Sequence, residues 1–145
     1  MKKGVSLLIV VVAISVMVIL ISTTIIFGTS SIKTAQYEEF LSQLNRVSSS
    51  LNEYTLQNNS LPTTNEVVSG ISLGDEFFAE LIEKKDENNR LYVIDVDLLR
   101  DGTIKRGYGT VQDQDIFVVA ENTNNVYYVK GFKYKGKVYF GQKVD

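Results

Sequence analysis

Apolar residues follow three different rhythms along this chain. From Val5 to Phe27 they run almost unbroken, rich in Val, Ile and Leu, with no charged side chain between Lys3 and Lys33. As a helix this stretch of about 23 residues measures roughly 35 Å, enough to span a bilayer core of about 30 Å. In lipid an isolated segment satisfies its backbone only as a helix, so the modest helix propensity of β-branched residues does not count against it. From Tyr37 the rhythm changes. Tyr37, Phe40, Leu41, Leu44, Val47, Leu51 and Tyr54 recur at spacings of three or four, the period of an amphipathic helix. No proline falls between Val5 and Leu61, and Gly28 is the single glycine there. One continuous helix to about Leu56 is therefore predicted, on the order of 78 Å long. Asn58, Asn59 and Pro62 in "QNNSLPTT" stop it.

The third rhythm fills the rest. "LGDEFFAELIEKK" places Phe77, Phe78, Leu81 and Ile82 on one stripe of a short helix, with Asp75 as its candidate cap. "RLYVIDVDLL" alternates Tyr92, Ile94, Val96 and Leu98 against Asp95 and Asp97, and an Asp-Gly turn follows. "DIFVVAENTNNVYYVKGFKYKGKVYFG" holds two or three further strands, broken at Asn124-Asn125 and Lys135-Gly136. The expected fold is α+β: a long N-terminal helix, transmembrane in its first half and amphipathic in its second, packed on a small antiparallel β-sheet head. The expected divisions are a leader at 1–4, a transmembrane or filament-core helix at 5–32, its amphipathic continuation at 33–56, and the head at 57–145.

Composition narrows the chemistry. The chain has 145 residues and no His or Cys, which removes disulfides, the usual zinc sites and His- or Cys-dependent catalysis. All 17 acidic residues follow Gln36, and without Lys2 and Lys3 the 15 basic residues fall to 13, a net charge near −4 that argues against nucleic acid as a partner. Asp95, Asp97 and Asp101, or Asp113 and Asp115, offer oxygen ligands, but at spacings that fit no EF-hand loop. Lys130, Lys133, Lys135 and Lys137 interleave with Phe132, Tyr134, Tyr139 and Phe140, a pattern that serves a single-stranded nucleic acid groove or simply the wet face of an edge hairpin. Paired acids such as Glu38–Glu39 and Glu76–Glu80 read as solvated helix faces. No catalytic, cofactor or metal site is expected.

Gly4 has no purpose in a plain membrane anchor. A secretory signal peptide has a shorter apolar core and a small-residue cleavage site, which "GTSS" at Gly28–Ser31 matches poorly. A short basic leader ending in glycine, an uncharged apolar segment and direct passage into an amphipathic helix resemble type IV pilins and the pseudopilins of type II secretion and competence systems. The resemblance is close over about the first 55 residues and only architectural beyond. It implies that a membrane-embedded prepilin peptidase cuts between Gly4 and Val5 and methylates the new N-terminus, with glycine leaving the scissile backbone unshielded.

One residue departs from that family. Its members usually carry a glutamate at the fifth residue of the mature chain, where this sequence has Ile9. In the family that carboxylate is thought to neutralise the N-terminal amine of a neighbouring subunit, and an unpaired charge in an apolar filament core costs several kcal/mol. Ile9 is therefore an assembly position, and it suits a minor or tip subunit with no subunit above it. The resemblance implies a structural subunit, not an enzyme, of a pilus-like filament for secretion, DNA uptake, adhesion or motility. Its partners would be other pilin subunits, the prepilin peptidase, a membrane platform protein and, before assembly, membrane lipid. Lys2 and Lys3 ahead of the span orient its N-terminus to the cytoplasm and its head outside, in a single-pass membrane placement. A different class of reading is a signal-anchored protein whose small extracytoplasmic domain binds a partner.

Overall fold

A computed structural model describes residues 2–142, with side chains described for 9–15 and 31–142. The chain divides into two compact units, Met1–Gln36 and Tyr37–Asp145. Helix α1, Lys2–Asn58, contributes to both.

Two expectations need correction here. The predicted long N-terminal helix packed on the sheet is corrected: the boundary between the two units falls inside α1, and only its residues from Tyr37 onward share a unit with the sheet. The expected transmembrane half is corrected as well. Among the described residues no helix is long and apolar enough to cross a membrane. The single-pass membrane placement, with a cytoplasmic N-terminus and an outside head, is withdrawn with it.

In the second unit, α1 buries Tyr37, Phe40, Leu44, Val47 and Leu51 on one stripe and leaves Leu41 and Tyr54 half-covered. It ends where Asn59 turns left-handed at φ 53° and its N–H bonds the Thr55 carbonyl. Asparagine tolerates that conformation, and Pro62 cannot continue a helix.

Five strands follow: β1 Thr63–Val68, β2 Leu91–Ile94, β3 Phe117–Ala120, β4 Val126–Tyr134 and β5 Lys137–Gly141. All neighbours are antiparallel, and spatial order equals chain order, leaving β1 and β5 as the two edges. Helix α2, Asp75–Glu83, and a short α3, Val96–Leu99, lie in the connections.

Both faces of the sheet are covered. Phe117, Val119, Val126 and Tyr128 face α1 and pack with Phe40, Leu44, Val47 and Leu51. The alternate residues Val118, Ala120, Tyr127 and Val129 face Phe77 and Leu81 of α2. Strand side chains point to alternate faces, so a strand covered on both sides is apolar at every position, as "FVVA" is.

Local chemistry departs from the sequence reading in three places. The alternating "RLYVIDVDLL" is not one strand: β2 ends at Ile94, because the Asp95 side chain accepts the Asp97 N–H and caps α3. Asp75 is the first residue of α2 rather than its cap, which is Gly74. Ile82 stays half exposed while Phe77 and Leu81 are buried, so the apolar stripe of α2 is narrower than predicted.

Candidate functional site

Three places carry the features from which function can be read. The first is the N-terminal unit. Gly4 and Val5 lie within the backbone span of α1, but their side chains fall outside the described residues, so the processing site has no side-chain geometry. Ile9 is described and is 63% exposed, and Val10, Val11, Val12 and Ile14 are exposed at 50–55%. Ser15, the polar residue after them, donates to the Val11 carbonyl one turn back and so satisfies itself within the helix.

The second place is the β4–β5 hairpin. Its two-residue turn puts Lys135 and Gly136 at φ 50° and 78°, the paired positive angles of a type I′ turn. Its aromatic side chains are spent on the core. Tyr134 stacks flat on Tyr37 with centroids 4.3 Å apart, Phe132 stacks on Phe40 at 5.3 Å, and Tyr139 leans on Tyr37 at 5.0 Å. The lysine–aromatic interleaving of the sequence thus resolves into rings packed against Tyr37 and Phe40 of α1 and lysines left exposed. Lys130, Lys133, Lys135 and Lys137 are all exposed. Lys135 and Lys137 lie over the rings of Tyr134 and Tyr139 at 5.3 and 5.2 Å.

The third place is the segment between β2 and β3, which holds all five candidate oxygen ligands. They are engaged locally. Asp101 accepts the Thr103 N–H and hydroxyl, and these bonds hold its carboxyl below the usual range. Asp113 accepts the Thr110 and Asp115 N–H groups, with the same effect. Asp115 accepts the Gly107 N–H at 3.0 Å and the Tyr128 hydroxyl at 2.5 Å. Burial, followed by that contact with Asp115, pushes the Tyr128 phenol far up. Among the described residues no group of three or more side chains is placed to hold a metal ion. Asp95 and Asp97 instead line an open groove of about 380 Å³ beside β1, with Thr64, Glu66 and Tyr108.

One feature had no signal in the sequence. Asp86, fully buried after α2, accepts from Thr123 Oγ1 at 2.7 Å, Asn89 Nδ2 at 2.8 Å, Asn125 Nδ2 at 2.9 Å and the Tyr127 hydroxyl. Burial alone would raise its pKa, but four donors outweigh it and hold the carboxyl below its ordinary value. Tyr127 is driven the other way, by burial first and by Asp86 second. The carboxylate is sealed and saturated, so its chemistry is that of a tie between segments rather than of a group that meets a substrate.

No protein-family model, curated protein or solved structure matches the chain. The likeness to pilins therefore rests on the residues of the N-terminal segment themselves.

Proposed function

We propose that this chain is a structural subunit of a type IV pilus-like filament, with no catalytic role. The observation that carries the reading is the apolar first stretch of α1, where Ile9, Val10, Val11, Val12 and Ile14 are each at least half exposed. Covering a side chain of this size contributes about 1.5–3 kcal/mol. A row of them along one helix is best covered by like helices of neighbouring subunits. The sequence "MKKG" immediately before this stretch supplies the processing signal that such a subunit needs. Its partners are then other subunits, a prepilin peptidase and the platform protein of an assembly machine. Ile9 leaves it without the carboxylate that pilins use between neighbours, which suits either a tip or a shaft in which another contact compensates.

Mass spectrometry of the protein isolated from its host tests this reading. Val5 is expected as the N-terminal residue, methylated, and Gly4→Leu should remain uncut. An intact "MKKG" on the protein in a host with an active prepilin peptidase refutes it.

A further inference from the structure

An acidic groove lies at the β1 end of the strand order and a basic hairpin tip at its β5 end. At the β1 edge, the groove formed with Glu66, Asp95 and Asp97 has no Lys or Arg among its lining residues. At the β5 end, the hairpin tip presents Lys133, Lys135 and Lys137, all exposed, with Glu80 and Glu83 of α2 near Lys137 alone. The ion pairs found among the described residues, Arg46–Asp101 and Lys84–Glu80, include no residue of either set. Three strands separate β1 from β5, so the basic tip of one molecule cannot fold back into its own acidic groove.

From this we infer that heads associate head to tail, the Lys133–Lys137 hairpin of one copy seated in the Glu66–Asp95–Asp97 groove of the next. The occupant is a second copy because this chain itself presents the complementary charge, on a tip already shaped to deliver it. The type I′ turn fixes the backbone, and the Tyr134 and Tyr139 rings hold two of the lysines, so little ordering is left to be done on docking. A contact between different patches on identical molecules does not close on itself unless its rotation happens to form a ring; otherwise it propagates as an open helical array. The inference rests on the filament reading and deepens it, because copies that follow one another occupy a shaft and not a tip.

The chain has no cysteine, so cross-linking tests the contact directly. The full chain carrying both Lys135→Cys and Asp97→Cys, treated in host cells with a short bis-maleimide, should give a ladder of dimers, trimers and higher species. Each single variant should give none. Lys135→Glu or Asp97→Lys alone, in the double-cysteine background at the neighbouring positions Lys133→Cys and Asp95→Cys, should weaken the ladder roughly fivefold to tenfold, and the two reversals together should restore it. Absence of a ladder overturns the inference, as does a dimer from Lys135→Cys alone, which would mean a two-fold contact. A groove occupied by a cation or another protein also gives no ladder. The N-terminal residue of the same cell material is read in parallel. Val5 there without a ladder leaves the filament reading standing and removes only the head-to-tail contact.

Discussion

Removing the Asp86 carboxylate should be among the most damaging single changes in the second unit. The residue sits at no surface, and its two oxygens take four donors from three segments: Asn89 in its own turn, Thr123 and Asn125 in the β3–β4 turn, and Tyr127 in β4. A hydrogen bond to a charged group contributes about 1.5–3 kcal/mol, and donors left buried and unpaired cost a further desolvation penalty. These terms do not add fully, since Asn125 and Thr123 lie in an exposed turn where water can replace the lost partner. The Tyr127 hydroxyl, on a fully buried ring, has no such recourse. Asp86→Ala should therefore cost on the order of 3–5 kcal/mol, as breaking a buried charged network does. Asp86→Asn keeps one accepting oxygen but turns an amide NH₂ toward other donors, and should cost roughly half as much.

The assay is urea unfolding of a fragment of residues 31–145, followed by near-ultraviolet circular dichroism of the buried tyrosines. Both hydrophobic clusters lie wholly within that fragment, so it is expected to fold on its own. Because the folded pKa of Asp86 lies below its ordinary value near 3.9, its contribution is complete above about pH 5, a unit over that ordinary value, and is lost as pH falls through the folded value. The stability gap between wild type and Asp86→Asn should thus be constant from neutral pH to about 5 and close in more acid solution. A loss below about 1 kcal/mol for Asp86→Ala, or a gap unchanged in acid, would refute the assignment of a charged tie.

The same urea titration serves two further changes. Leu44→Ala and Leu51→Ala, both fully buried on the α1 stripe, should each cost about 2–5 kcal/mol, and a loss under about 1 kcal/mol at both would mean that α1 does not pack on the sheet. Gly131→Ala should cost about 1–3 kcal/mol, since Gly131 has φ 73° and an added Cβ would lie 2.6 Å from Val138 and 2.8 Å from Phe140; an unchanged midpoint would contradict that crowding. Ile9→Glu should raise incorporation into sheared filaments, quantified by mass spectrometry, because it offers each neighbour's N-terminal amine a carboxylate; reduced incorporation would place the chain at a tip.

What could be read in advance follows from how local each signal is. The stripe Phe40–Leu44–Val47–Leu51 repeats within one helix and was plain in the sequence, as was the turn at Lys135-Gly136. Strand β1 was not foreseen. "TTNEVV" is an edge strand with four of its six residues exposed, its pairing with β2 shifts register after Thr63, and Asn65 within that interval stands at φ 69°; none of this leaves an alternating apolar pattern. The strand read through "IDVDLL" failed for a related reason. Alternating acids on a strand and an Asp that caps a short helix share one spelling, and the choice was made by Asp95 accepting the Asp97 N–H.

The polar sites were illegible for a deeper reason. Asp86 meets Thr123, Asn125 and Tyr127 across 37, 39 and 41 residues, so no window of sequence contains the cluster. "KKDENN" around it reads only as a solvated turn, and burial of its carboxylate exists only once the β3–β4 turn has folded over α2. The charged edges behave likewise. Glu66 and the pair Asp95–Asp97 belong to one groove because β1 pairs with β2, and the lysines oppose them only because five strands are laid in chain order. In the sequence the acids offered oxygen ligands at spacings that fit no EF-hand loop, and the lysines fitted either a nucleic acid groove or the wet face of an edge hairpin. The fold instead gathers Glu66, Asp95 and Asp97 in one groove at the β1 end of the strand order and sets the lysines on the hairpin at its β5 end, and the proposed head-to-tail contact rests on that separation.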